Sequence, residues 1–241
     1  MNPVSASSPT LSSRDFVESV LRIAPQVAAF DCDGTLWSGD AGETFFDWEI
    51  RTGVVSAGVA RAMRARYAEY KAGEVSEEEM CGEMVTMHKG LADSAVMRAA
   101  TEFMGSVFSG HVFPELRQLV DRLHDNGCEV WAVSSSNEWV IRAGMEQFGI
   151  TPDRILAAKV AVENGVVTDR LLRVPSGPGK PVALREAVRK EIDAAFGNSR
   201  WDTEMLAMAR YGFAVNPNPD LEALALERGW TIYFPDGTNR K

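Results

Sequence analysis

Two hydrophobic periods alternate along most of this chain. After an amphipathic segment at residues 11–23 comes the short run Gln26-Val27-Ala28-Ala29-Phe30, apolar after its first residue and halted by Asp31-Cys32-Asp33-Gly34-Thr35. Such a run predicts a strand buried on both faces, with its C-terminal end opening into a loop. That end is where open α/β sheets place ligands. The pattern then changes. Residues 42–105 carry helical periodicity: 55–71 is periodic, Ser76-Glu77-Glu78-Glu79 reads as a capping box, and 93–104 continues the pattern with no strand between.

From residue 113 the alternation returns. Helices are predicted at 113–126, 138–148, 181–192, 202–211 and 219–228. Strands are predicted at 128–134, 155–160, 194–197, 213–216 and 231–234, with a hairpin or extended crossing around Glu163-Asn164-Gly165. A helical block inserted directly after the first strand of a parallel sheet divides the chain into a tail at 1–13, an α/β core at 14–39 and 110–241, and a helical cap at 40–109. The tail is rich in Ser and Pro and lacks a basic start followed by an apolar run, so it reads as flexible rather than as a signal peptide or anchor.

Composition narrows the function. With 241 residues and 45 % hydrophobic content the chain can bury a core. A formal charge of −9 argues against a nucleic-acid partner, and no window reaches the roughly 18 consecutive apolar residues of a membrane span. Three cysteines, Cys32, Cys81 and Cys128, without a Cys-x-x-Cys pair suggest neither disulfides nor a thiolate zinc site, which fits a reducing cytoplasm. His88, His111 and His124 lack metal-ligand spacing and read as surface or packing residues. The expected partner is a small phosphorylated metabolite, and the expected state a monomer or homodimer.

The candidate chemistry starts from Asp31 and Asp33, two carboxylates at a strand end. One can attack phosphorus while the other handles the leaving group's proton. A carboxylate attacks an anionic phosphate only when cations screen the repulsion, so the chemistry calls for a divalent metal and a fixed positive side chain. The segments Phe30-Asp31-Cys32-Asp33-Gly34-Thr35-Leu36, Ser134 after Glu129–Val133, Lys180 in Gly177-Pro178-Gly179-Lys180, and Gly197-Asn198-Ser199-Arg200-Trp201-Asp202 resemble, in order and spacing, the four motifs of the haloacid dehalogenase superfamily. Gly110-His111-Val112-Phe113-Pro114, Ser134-Ser135-Ser136-Asn137 and 213–221 resemble its phosphoserine phosphatase-like branch.

The resemblance implies a Rossmann-like parallel sheet core with an inserted helical cap that closes over the site. It also implies Asp31 as nucleophile, Asp33 as acid/base, Ser134 and Lys180 on the phosphoryl group, and Mg2+ held by Asp31, Asp33, Asn198 and Asp202. Asn198 departs from the family's usual Asp, which would weaken metal binding. Asp40 and Glu43, with Ser135 and Asn137, are candidates for the substrate, the two acids for an ammonium; equally, Asp40 suits a helix N-cap. Trp37, Phe45, Phe46, Trp48 and Trp139 are core residues or ring faces for a choline-like cation. The implied function is a Mg2+-dependent phosphatase acting on a phosphoserine-like phosphomonoester through an aspartyl-phosphate. Phosphocholine or phosphoethanolamine are alternative substrates, and a catalytically silent binding protein is the alternative of another class.

Overall fold

The computed structural model describes residues 11–238. Residues 1–10, most of the tail expected at 1–13, lie outside them. Ser12 and Ser13 belong to the first helix as N-cap and first residue.

Among the described residues seven strands form one sheet: β1 (Val27–Phe30), β2 (Glu129–Asn137), β3 (Ile155–Glu163), β4 (Val166–Arg173), β5 (Ala194–Gly197), β6 (Tyr211–Val215) and β7 (Thr231–Tyr233). The order is β4-β3-β2-β1-β5-β6-β7, with every pairing parallel except the β3/β4 hairpin. Because successive strand residues face opposite sides, β1 sends Ala28 and Phe30 into one apolar cluster and Val27 and Ala29 into another. The first cluster is closed by α1 (Ser13–Arg22), α6 (Pro114–Asp125) and α7 (Glu138–Met145). The second is closed by α8 (Gly179–Ala187), α9 (Thr203–Met208) and α10 (Pro219–Arg228). A central strand covered on both faces is why Val27–Phe30 carries no polar residue.

Between β1 and β2 lie α2 (Ala41–Thr52), α3 (Ala57–Lys71), α4 (Glu77–Thr86) and α5 (Asp93–Ser106). Phe45 and Trp48 of α2 and Val96, Ala100 and Phe103 of α5 join the apolar cluster of the sheet. The pair α3 and α4 instead centres on a satellite cluster with Phe46, Met63 and Met80. Backbone bonds fasten the far end of the helical segment to the β3/β4 hairpin: Gly90 N to Val167 O (2.8 Å), Val167 N to Leu91 O (2.9 Å) and Asp93 N to Gly165 O (2.9 Å).

Several expected boundaries shift. The helix expected at 181–192 ends at Ala187, because Val188 and Ile192 are buried and the chain must turn back into β5. Asp193 then accepts from Gln26 N and Val27 N and anchors the start of β1. The helix expected at 202–211 ends at Met208, and Tyr211 already pairs in β6. Strand β2 runs three residues past Ser134, with a register shift against β3 between Val133 and Asn137. The capping box at Ser76 is half formed: its hydroxyl accepts from Glu79 N, whereas the Glu79 carboxylate meets Arg66 instead (2.8 Å).

Candidate active site

The C-terminal ends of β1, β2 and β5 open into a cleft of about 490 Å³ whose opposite wall comes from α2, α3 and α4. Asp31 is buried at its floor. Lys180, in the first turn of α8, donates to Asp31 Oδ1 (2.7 Å), to Asp202 Oδ1 (2.5 Å) and to the Val133 carbonyl (3.3 Å), so all three ammonium protons are engaged. Thr35, fully buried one turn on, donates to Asp31 Oδ2 (2.8 Å). Burial and the charge of Asp202 push the Asp31 carboxyl up to about 7, against the pull of Lys180. Two carboxylates raise Lys180 despite its burial, so it stays an ammonium.

Asp33 faces the same cleft. Its Oδ1 accepts from Trp37 Nε1 (2.8 Å) and Ala41 N (2.6 Å), and its Oδ2 accepts from Ser136 Oγ (2.7 Å). Burial and the neighbouring Asp40 push its carboxyl up to about 7, in spite of these donors. The start of α2 comes close enough to β2 that a Cβ on Gly42 would lie 2.3 Å from Ser136 Oγ. Ser134 is buried and its hydroxyl accepts from Ser136 N (3.1 Å), with Ser135 beside it on the cleft.

The loop after β5 is held from below. Asp202 is fully buried, and its Oδ2 accepts from Asn198 N (3.0 Å), Ser199 N (3.0 Å) and Ser199 Oγ (3.2 Å), so both carboxylate oxygens already serve protein donors. The Asn198 amide lies over the Asp33–Gly34 turn: a Cβ on Gly34, which has φ +78°, would sit 1.9 Å from Asn198 Nδ2. Asp31, the Asp33–Gly34 turn and Asn198 all line this cleft, and each carries an oxygen able to serve a hard cation. Among the described residues no three His, Cys, Asp or Glu side chains converge as a metal site of their own. Mg2+ habitually takes one or two carboxylates and completes its shell with water and substrate phosphate, and this set of donors fits that habit.

Asp40 is the N-cap of α2, with Oδ1 accepting from Glu43 N (2.7 Å), yet it also lines the cleft. Glu43 Oε2 is 3.4 Å from Lys71 Nζ. Asn137 lines the cleft and caps α7 through Val140 N (3.0 Å). Trp37, Phe45, Phe46, Trp48 and Trp139 are all core residues and none lines the cleft, which removes them as ring faces for a cation. Cys32 is likewise packed into the core. Among the described residues the rings on the cleft are Tyr67, Tyr70 and Trp201, joined from α4 by Glu77, which was read only as part of a capping box and lies in none of the four family-like motifs. A spacing of three along a helix was the one signal for the tyrosines. Ser136 and Thr35 were within reach of the motif reading, since Ser136 lies between the expected Ser135 and Asn137 and Thr35 stands two residues after Asp33.

A family model described as haloacid dehalogenase-like hydrolase matches residues 28–207. A histidinol-phosphatase of Neisseria meningitidis is 27 % identical over 217 residues, covering 86 % of this chain and 97 % of that protein. A phosphoserine phosphatase of Mycobacterium tuberculosis is 25 % identical over 150 residues, 60 % of this chain and 48 % of that protein. Among solved structures, a Bordetella pertussis protein of unknown function has a TM-score of 0.77 at 22 % identity, over 86 % of this chain and 97 % of its own. A probable phosphoserine phosphatase from Vibrio cholerae has a TM-score of 0.61 at 20 % identity, over 90 % and 68 %. The two structures speak for the fold. No helix among the described residues is long and apolar enough to cross a membrane.

Proposed function

The chain belongs to the haloacid dehalogenase-like hydrolases, and from that premise we propose that it is a phosphatase of small phosphomonoesters, working through an aspartyl-phosphate on Asp31. The observation that carries this reading is the meeting of Asp31, Asp33 and Lys180 in one cleft, with Lys180 bonded to the nucleophile. The phosphatase names of the Neisseria and Mycobacterium relatives favour it. In the first step an Asp31 oxygen forms a bond to phosphorus as the ester P–O bond breaks, and Asp33 gives its proton to the departing alkoxide. In the second, Asp33, now ionised, takes a proton from water as that water attacks the same phosphorus. Phosphate leaves and the Asp31 carboxylate returns.

Lys180 and the Ser134 hydroxyl would meet the phosphoryl oxygens, where charge develops, Lys180 by trading one of its present acceptors for the phosphate. Asp202 is a positioning residue for Lys180 and the 198–199 loop rather than a metal ligand, since both its oxygens are engaged. Asp31, the Asp33 carbonyl and Asn198 would hold Mg2+, which when bound supplies the charge screening that lets a carboxylate approach a phosphate dianion. Residues 40–109 act as a cap that supplies the substrate's tail contacts, with Asp40 and Glu43 near its amine. The test is release of phosphate from p-nitrophenyl phosphate with and without Mg2+. Absence of turnover in both conditions by a folded protein sinks the phosphatase reading and favours the silent binding protein.

A further inference from the structure

Where α2, α3 and α4 wall the cleft, it forms a chamber lined by Asp40, Glu43, Tyr67, Tyr70, Lys71 and Glu77. Three carboxylates face one ammonium there, so a tail bearing its own carboxylate meets net repulsion while a cationic tail is attracted. The chamber already holds a cation. Lys71 Nζ stands 5.0 Å from the Tyr67 ring centre and 5.8 Å from that of Tyr70, and 3.4 Å from Glu43 Oε2. Its side chain is 55 % exposed, so this is a loose occupant that keeps most of its water.

Glu77 is held at the chamber wall by hydroxyls from the opposite side. Ser176 Oγ donates to its Oε1 (2.8 Å), and Ser135 also bonds it. Neither partner carries charge. Lys180, whose charge acts on it from a distance, is already engaged by Asp31, Asp202 and Val133. Among the described residues no ion pair reaches Glu77, so it lines the substrate space as a half-buried carboxyl that burial raises and that a substrate cation would help ionise.

Resting on the phosphatase reading of the same cleft, we infer that Tyr67, Tyr70 and Glu77 form the tail subsite and select phosphomonoesters whose tail is an organic cation without a carboxylate. Lys71 is its resident competitor: it holds the ring faces in the free protein and yields them to the substrate's cation. Phosphate enters toward Asp31 and Lys180, the cation lies over the tyrosine rings, and Glu77 supplies the counter-charge. Two tail chemistries share these features, a flat imidazolium and a quaternary ammonium.

The experiment compares kcat/KM for histidinol phosphate, phosphocholine, phosphoserine and glycerol 3-phosphate in the parent and in Tyr67→Leu, Tyr70→Leu, Tyr67→Phe, Glu77→Gln and Lys71→Met. The parent is expected to favour one of the two carboxylate-free cations at least tenfold over both phosphoserine and glycerol 3-phosphate, and which one identifies the tail. That preference should fall at least fivefold in the Leu and Gln variants, be retained in Tyr67→Phe, which keeps the ring face, and rise severalfold in Lys71→Met. A parent preference for phosphoserine, a drop in Lys71→Met, or Leu variants within twofold of the parent ratio would each overturn the inference. If none of the four is hydrolysed, the phosphatase reading fails separately. Calorimetric titration of histidinol and choline into the parent and Tyr67→Leu then decides the subsite: binding weakened by the substitution supports it, and no binding to the parent overturns it.

Discussion

Asp31 is held by Lys180 on one oxygen and Thr35 on the other, so replacing it by the nearly isosteric Asn changes the chemistry far more than the packing. Asp31→Asn should lower kcat on the order of a thousandfold or more while circular dichroism and the melting temperature stay close to the parent. Activity within tenfold of the parent in a folded variant would remove Asp31 from the nucleophile's role. The two aspartates also make a statement about pH. Asp33 must be protonated to serve the leaving group, and burial with the neighbouring Asp40 raises its carboxyl to about 7, so activity declines as pH climbs through that value. Asp31 must be ionised to attack; burial raises its carboxyl in the metal-free protein, and Mg2+ held at Asp31 would pull it back down, so the acid limb should move to lower pH as Mg2+ is raised. The alkaline limb of kcat/KM should therefore lie near neutrality, and full activity held to about pH 9 contradicts the role given to Asp33. These residues were legible because they sit at strand ends inside contiguous motifs. What motifs cannot convey is which partner an oxygen chooses: the fourth motif marks Asp202 but not its bonds to Lys180, Asn198 and Ser199. The tail subsite was illegible for a different reason, since Tyr67 and Tyr70 have the spacing of any helix face.

Among the elements, the four inserted helices are not equivalent. Helix α5 buries Val96, Ala100 and Phe103 in the main core, whereas α3 buries only Ala60 and Met63 and carries Arg66 in exposed or half-exposed pairs with Glu69, Glu79 and Glu83. Such surface pairs contribute little. Amides of α3 and α4 should therefore exchange hydrogen faster than those of α5 and gain protection when a phosphate analogue such as vanadate binds; equal protection throughout would mean the segment moves as one body. Inside it, Glu49 and His88 are both fully buried and joined at 2.7 Å, with the other imidazole nitrogen on Val85 O. Burial raises the Glu49 carboxyl against the opposing pull of His88. Removing one partner of a dry pair strands the other, so His88→Ala should cost about 3–5 kcal/mol in urea unfolding, and Glu49→Leu combined with it should recover part of that. A loss under about 1 kcal/mol would show that water replaces the imidazole freely. The helices themselves were readable from their period and, at Ser76, from a cap that does accept a backbone N–H, whereas the caps Ser12 and Ser56 fell inside the expected tail and the expected 55–71 helix. Where they stop was less so: Val188 and Ile192 continue a helical period but are drawn into the sheet's second core by tertiary packing.

For the whole molecule, the alternation of runs and periods was enough to place a helical insertion after the first strand, since a parallel sheet leaves few other connections. It was not enough to show the insertion stitched to the β3/β4 hairpin through Gly90, Leu91 and Asp93, because backbone pairing over some seventy residues leaves no side-chain signature. The net charge was legible from composition and has a kinetic consequence. A formal charge of −9 surrounds a cleft that must admit a phosphate dianion, and Lys180 at its floor is already paired with two carboxylates. At an ionic strength of about 0.01 M the screening length is roughly 30 Å, comparable to the molecule, so the whole charge opposes the incoming substrate; at about 0.15 M it is roughly 8 Å and most of that field is gone. Raising salt over this range should increase kcat/KM for glycerol 3-phosphate about two- to fivefold, by an association-rate effect that leaves kcat nearly untouched. A substrate whose tail carries a positive charge approaches with a smaller net charge and is drawn by Asp40, Glu43 and Glu77, so its kcat/KM should rise less or fall. Measuring both substrates across the same salt series, with choline chloride avoided because its cation resembles a tail, separates the global field from the local one. Equal salt dependence for the two would mean that the chamber's carboxylates do not reach the approaching substrate. A decline for glycerol 3-phosphate would mean that local cations at the cleft mouth outweigh the molecule's net charge.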